Sequence, residues 1–224
     1  MVEYPIPRIR VEKTEEKQLL LDCGCNWGRW TFSAARAGIP SIGVDPSLGA
    51  VIAARQIRRQ LGLPCSFFVA DCRFLPFKPD TFSDVFSYSV VQHFSKQNAA
   101  VAVREFARVT QPQGKCLLQM PNMFGIRSFY HYARRSFLEG EKFDVRYYRP
   151  GELKMLMAAA FSQVRLSVDG YFGLGIQPDD KRFMPFKNRM VINCSEFLRG
   201  LQKLVPPMLN LADSLYLHGV KGLS

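Results

Sequence analysis

The sequence predicts an α/β fold built on a doubly wound, mostly parallel sheet, and three observations predict it. Short apolar runs recur, separated by segments of helical periodicity. Three of those runs end in an aspartate, at Asp22, Asp45 and Asp71. The first, Leu19-Leu20-Leu21-Asp22, opens directly into a glycine-bearing turn, Cys23-Gly24-Cys25-Asn26-Trp27-Gly28. Strand, tight turn and helix in that order form the entry unit of a nucleotide-binding fold. The glycines let backbone approach a ligand, and a helix N-terminus offers it unpaired N–H groups.

Taken in order, the lead-in of residues 1–18 is short and charged, and the main domain spans 19–224. After the turn, Trp30, Phe32, Ala34 and Ala35 set a helix that ends at Gly38. Ser41–Asp45 reads as the second strand, and Ser47 then caps a helix. Its inward stripe is Ala50, Ala53, Ala54, Ile57 and Leu61, and Gly62 stops it. Arg55, Arg58 and Arg59 are expected on its solvated face. Ser66–Ala70 is the third strand and Phe82–Ser89 the fourth. A helix follows from Gln97 to Thr110, then a turn at Pro112-Gln113-Gly114, then a fifth strand at Lys115–Met120. Further on, a helix is expected over Gly151–Ala160 and a sixth strand over Val164–Val168.

Composition narrows the function classes. No apolar run is long enough to span a membrane, and the opening residues lack a signal-peptide layout, so a cytoplasmic protein is expected. The six cysteines form no C-x-x-C pairs and the three histidines are scattered, which predicts buried reduced thiols and no metal site. A formal net charge of +11 favours an anionic partner. That partner is a charged metabolite, a membrane surface or a nucleic acid.

The first turn resembles the D-x-G-x-G-x-G motif of class I S-adenosylmethionine-dependent methyltransferases of the type 11-like family. Asn26 stands where that family has its middle glycine, and Asn is the side chain that best tolerates positive φ. The segments Val90-Val91-Gln92-His93-Phe94 and Arg108-Val109-Thr110-Gln111-Pro112-Gln113-Gly114 resemble later motifs of the same family. The resemblance runs from Leu19 to Asn122.

It implies a Rossmann-like seven-stranded sheet in the order 3-2-1-4-5-7-6. Strand 7 is antiparallel there, and Ser214–His218 is its candidate. It also implies S-adenosylmethionine as cofactor, with S-adenosylhomocysteine as product. Asp22, Gly24, Asn26, Trp27 and Gly28 then line the cofactor, and Asp45 with Pro46 meets the ribose. Asp71 accepts from the adenine amino group while the Cys72 backbone meets a ring nitrogen. Ser87 and Tyr88 complete the cofactor side at the end of strand 4, and Gln92 faces the substrate. His93 is the candidate general base. A histidine at that place also serves local hydrogen bonding in relatives.

Residues 123–149 and 169–210 are expected as helical insertions that roof the substrate, the second holding an amphipathic helix near Ser195–Val205. Both are basic and aromatic, so Arg127, Tyr130, His131, Arg134 and Arg135 are candidate contacts to an acidic substrate. Methyl transfer to a small molecule is the leading reading, the acceptor being anionic or of lipid, sugar or secondary-metabolite type. A nucleic-acid methyltransferase is the second. A noncatalytic protein that binds a partner or a membrane surface is the third.

Overall fold

The structure, a computed structural model, describes residues 6–11, 13, 18–173 and 177–223. Its strands are β1 (Leu20–Cys23), β2 (Ser41–Asp45), β3 (Cys65–Val69), β4 (Phe82–Tyr88), β5 (Thr110–Pro121), β6 (Ser162–Gly170) and β7 (Ser214–Val220). Its helices are α1 (Arg29–Arg36), α2 (Leu48–Leu61), α3 (Lys96–Val109), α4 (Ile126–Arg134), α5 (Pro150–Ala158) and α6 (Phe186–Gln202). Among the described residues the strands form one sheet in the order β3-β2-β1-β4-β5-β7-β6. The five strands from β3 to β5 pair in parallel, and β7 runs antiparallel to both β5 and β6. Order and direction are those expected.

The sheet is buried where its strands are most apolar. Phe82, Phe86, Phe106, Leu118 and Met120 are fully enclosed, each side chain stabilising the fold by about 1.5–3 kcal/mol. The α2 boundaries follow from two residues. The Ser47 hydroxyl accepts from the Ala50 N–H at 3.2 Å, and Gly62 closes the helix at φ 64°.

Four local expectations are corrected. Arg55 and Arg58 are not simply solvated: Arg55 donates from Nε and Nη2 to the Phe67 carbonyl, and Arg58 from Nη1 to the Cys65 carbonyl. Strand β3 is the sheet edge, and these arginines satisfy carbonyls that no neighbouring strand reaches. The expected turn at Pro112–Gly114 lies inside β5, where the register against β4 slips and Gln113 takes φ 63°. Helix α6 starts at Phe186, well before Ser195, with Pro185 as its N-cap residue. Cys194 is exposed, whereas the other five thiols are buried, and all six are free.

The described part of the lead-in packs on the sheet. Ile9 is buried with Trp30, Phe86, Tyr88 and Tyr216, and Arg10 lies over the Tyr216 ring at 5.4 Å.

Candidate functional site

The parallel strands present their C-terminal ends at one edge, and the β1–α1 turn sits there. Gly24 and Cys25 donate to the Val44 carbonyl of β2 at 2.8 and 2.9 Å. Three turn residues have positive φ: Gly24 at 77°, Asn26 at 48° and Gly28 at 86°. A Cβ on Gly24 would lie 2.2 Å from Val90 Cγ2, so the turn is in contact with the segment after β4. Gly28 precedes α1 with no side-chain cap, which leaves first-turn N–H groups of the helix for a ligand.

Asp45, at the end of β2, braces the turn. Its Oδ2 accepts from the Asn26 N–H and its Oδ1 from the Ser47 N–H, both at 2.9 Å. A carboxylate has about four lone-pair positions, so each oxygen keeps one open. Asp45 therefore offers two acceptors side by side, a match for a pair of vicinal hydroxyls. The Ala70 N–H donates to the Asp45 carbonyl at 3.2 Å, which seats the end of β3 beside it, with Phe68 and Val69 exposed. Pro46, Trp27 and Asn26 are exposed at the same turn.

The other cofactor candidates lie deeper. Asp22 is buried and accepts from Thr31 Oγ1 at 2.7 Å. Burial pushes its carboxyl up to about 7, the Thr31 hydrogen bonds pulling the other way. Ser87 is fully buried and ties β4 to β1 through the Cys23 carbonyl. The Cys72 side chain is buried, and burial pushes its thiol up to about 12. Asp71 takes a bidentate grip from Arg73, with Nη2 to Oδ2 at 2.6 Å and Nε to Oδ1 at 3.0 Å. That pairing holds its carboxyl below the usual range.

Tyr88 faces inward, into a network that the sequence gives no local sign of. Its hydroxyl donates to Asp169 Oδ2 at 2.8 Å and accepts from Gln177 Nε2 at 2.6 Å. Ser214 donates to the same carboxylate oxygen at 2.7 Å. Asp180 pairs with Arg29 of α1, and Asp179 accepts from the Arg8 N–H at 2.8 Å. Asp169, Gln177, Asp179 and Asp180 thereby fasten the chain past β6 to β4, to α1 and to the lead-in. Only the aspartates at 179 and 180, placed just after Pro178, hinted at a polar anchor.

Past β4, Gln92 and His93 form a short 3₁₀ turn with Val91. The His93 ring stacks on Phe143 with centroids 4.1 Å apart, and its Nδ1 lies 2.7 Å from the Phe143 carbonyl. That contact makes Nδ1 the protonated nitrogen of the neutral ring. Its Nε2 is 3.2 Å from Gln92 Nε2, so this nitrogen accepts. Burial lowers the imidazole's affinity for a second proton. Gln92 Oε1 is buried with no partner among the described residues.

Helix α4 carries the remaining candidates. Arg127, Tyr130, His131 and Arg134 are exposed on it, with Arg134 over the Tyr130 ring at 5.9 Å. Arg135 instead points back, donating to the Val145 carbonyl at 2.7 Å. Among the described residues, Arg127 and Arg134 have no carboxylate within ion-pair distance, and no cluster of side chains suits a metal ion. A cavity of about 520 Å³ lies elsewhere, between Arg10, Lys115, Arg165 and His218 over the starts of β4 and β5. It is remote from the turn and has no part in the site.

Residues 20–114 match a methyltransferase domain family. Over 115 residues, half of its length, the chain is 32% identical to a probable tRNA methyltransferase 9B of Homo sapiens. Over 113 residues it is 33% identical to phosphoethanolamine N-methyltransferase 1 of Triticum aestivum. It covers 24% of the first relative and 22% of the second, about a quarter of their length or less. Among solved structures it resembles a SAM-dependent methyltransferase of Methanosarcina mazei, with TM-score 0.66 at 14% identity over 94% of this chain and 95% of that one. It also resembles phosphoethanolamine N-methyltransferase 2 of Haemonchus contortus in complex with S-adenosyl-L-methionine. There the TM-score is 0.64 at 18% identity, covering 94% of this chain and 50% of that one.

Proposed function

We propose, on the premise that this chain is a class I S-adenosylmethionine-dependent methyltransferase, that it methylates a small anionic acceptor. S-adenosylmethionine supplies a methyl group on a positively charged sulfur, which is already activated for transfer. The residues present fit that cofactor. Asp45 holds the two ribose hydroxyls with its open lone pairs, Gly24 and Gly28 give the turn its left-handed backbone, and Asn26 and Trp27 are exposed beside it for the rest of the molecule. Pro46 and the end of β3 flank the base. Cys72 meets the base through its backbone N–H, and Asp71 through its carboxylate once Arg73 is displaced. Asp22, Ser87 and Tyr88 act from below, fixing α1, β1 and β4 under the cofactor.

The observation that carries the acceptor reading is the pair Arg127 and Arg134, exposed on α4 with no carboxylate partner among the described residues, Arg127 meeting only His131 and the Phe172 carbonyl through hydrogen bonds of 3.3 and 3.4 Å. They hold the acidic group, Tyr130 and His131 supply ring surface, and the unpaired Gln92 Oε1 accepts from the acceptor's N–H or O–H. Alignment for in-line attack then provides most of the acceleration. With both ring nitrogens engaged, His93 anchors the 139–149 segment and becomes a base only if Gln92 releases it. We place the protein in the cytoplasm, where its six free thiols stay reduced. Among the described residues, no helix is long and apolar enough to cross a membrane.

The second reading, an RNA acceptor, draws on the tRNA-methyltransferase relative and the basic charge. Radiolabelled methyl transfer to phosphoethanolamine, an organic extract and unmodified tRNA separates the two. Label in a small acidic product, with KM raised more than about tenfold by Arg127→Glu/Arg134→Glu, is the expected result. Label in tRNA alone would reverse the choice.

A further inference from the structure

Helix α6 packs on the body through Ile192 and partly through Ser195, whose hydroxyl accepts from the Tyr171 N–H at 2.9 Å. Its opposite face carries exposed apolar side chains, with the exposed Asn193 set between them. Phe186, Met190 and Phe197 fall within one narrow stripe at i, i+4 and i+11, and they are 72%, 57% and 69% exposed. Leu204, just past the helix end, is 81% exposed. Outward-facing phenylalanines in a row are costly to leave in water. Basic side chains fringe this stripe, with Lys187, Arg189 and Lys203 all exposed. From Lys181 to Lys203 the one acid is Glu196, and Arg199 neutralises it.

We infer that this face seats the protein on an anionic lipid surface. The apolar stripe enters the interface between headgroups and acyl chains, and the basic fringe meets the phosphates. The convex face of a single helix suits a deformable surface better than a protein pocket, which would present a groove. The lack of free acids on the segment matches a negative partner. Position adds a consequence. Asp213 receives the Phe172 N–H on Oδ2 and the Ser128 N–H of α4 on Oδ1. One carboxylate thus fastens the segment leading to α6 and the start of α4 to the same end of the sheet. Docking through α6 therefore bears on a segment that shares an anchor with α4.

The test is co-sedimentation of the apo protein with phosphatidylcholine vesicles, with and without phosphatidylglycerol. It needs no turnover, so its failure is distinct from failure of the methyl-transfer proposal. The wild type is expected to sediment with phosphatidylglycerol vesicles only, and to be released by high salt. Phe186→Ser/Phe197→Ser and Lys187→Glu/Arg189→Glu, both wholly at exposed positions, should each weaken partition by more than about tenfold while the thermal midpoint stays put. Three outcomes would overturn the inference. They are no vesicle binding by folded wild type, undiminished binding by the phenylalanine variant, or a dimer that the phenylalanine variant abolishes. Within the first of these, binding to tRNA in place of vesicles would point to a nucleic-acid surface.

Discussion

Replacing Gly24 by alanine tests whether the cofactor turn and the end of β4 are locked together. The new Cβ would sit 2.2 Å from Val90 Cγ2 and 2.8 Å from Cγ1, at a backbone φ of 77°. Left-handed backbone costs a residue with a Cβ about 1–2 kcal/mol, and relieving such an overlap costs about 1–3 kcal/mol more. The sum, about 2–5 kcal/mol, is a large part of a typical domain's stability. Val90→Ala removes both γ carbons but leaves Val90 Cβ 3.0 Å from the added methyl, a contact that must still open by a few tenths of an ångström. By itself it should cost about 1 kcal/mol, since Val90 is only partly buried. In the double variant most of the overlap is relieved, so the two changes should be less than additive by about 1–2 kcal/mol. Urea unfolding followed by far-UV circular dichroism reads all four corners of this cycle. Additivity within about 0.5 kcal/mol would refute the contact and with it the rigid turn that the site rests on.

Other consequences follow from single groups. Asp22 titrates near 7 in the folded chain against 3.8 otherwise, so the fold holds a proton that the unfolded chain has lost. This stabilisation is complete below pH 4 and is lost as pH rises through 7. At about 1.4 kcal/mol per pH unit, the wild type should fall behind Asp22→Asn by about 2 kcal/mol between pH 5.5 and 7. Parallel urea midpoints across that range would remove the buried carboxyl from the account. Asn26→Gly relieves positive φ at an exposed position and should change stability by less than about 1 kcal/mol without weakening cofactor binding. A tenfold loss of affinity would mean that the Asn26 side chain touches the ligand. His93→Ala should cost about 1–2 kcal/mol of stability, from the Phe143 stacking and its hydrogen bond, with turnover reduced less than about tenfold. A drop of about a thousandfold at unchanged stability would make His93 the general base.

The parallel part of the fold was legible because its signals are local. Three runs ending in Asp22, Asp45 and Asp71 mark one strand edge, and Ser47 and Gly62 bound their helix by chemistry that lies within a few residues. The place of Asp45 at the end of β2, against the turn, was readable for the same reason, as its distance along the chain reflects one strand–helix–strand step. What stayed hidden depends on partners far along the chain. Tyr88 meets Asp169 and Gln177, 81 and 89 residues away, so nothing near Tyr88 says that its hydroxyl turns inward. Arg55 and Arg58 looked solvated because an edge strand is defined by what fails to pair with it. The early start of α6 was missed because Lys187, Asn188 and Arg189 break the apolar pattern there. Phe186 and Met190 form a stripe that faces away from the core, so they do not complete one.

The most direct test of the central claim is calorimetric titration of wild type and Asp45→Ala with S-adenosylmethionine, with NAD as the competing nucleotide. Each hydrogen bond to a charged acceptor contributes about 1.5–3 kcal/mol. The variant should therefore lose affinity for S-adenosylmethionine by at least about a hundredfold, and the wild type is expected to bind S-adenosylmethionine and not NAD. Equal binding of S-adenosylmethionine by both proteins, or binding of NAD alone, would contradict the assignment of this turn and carboxylate to that cofactor.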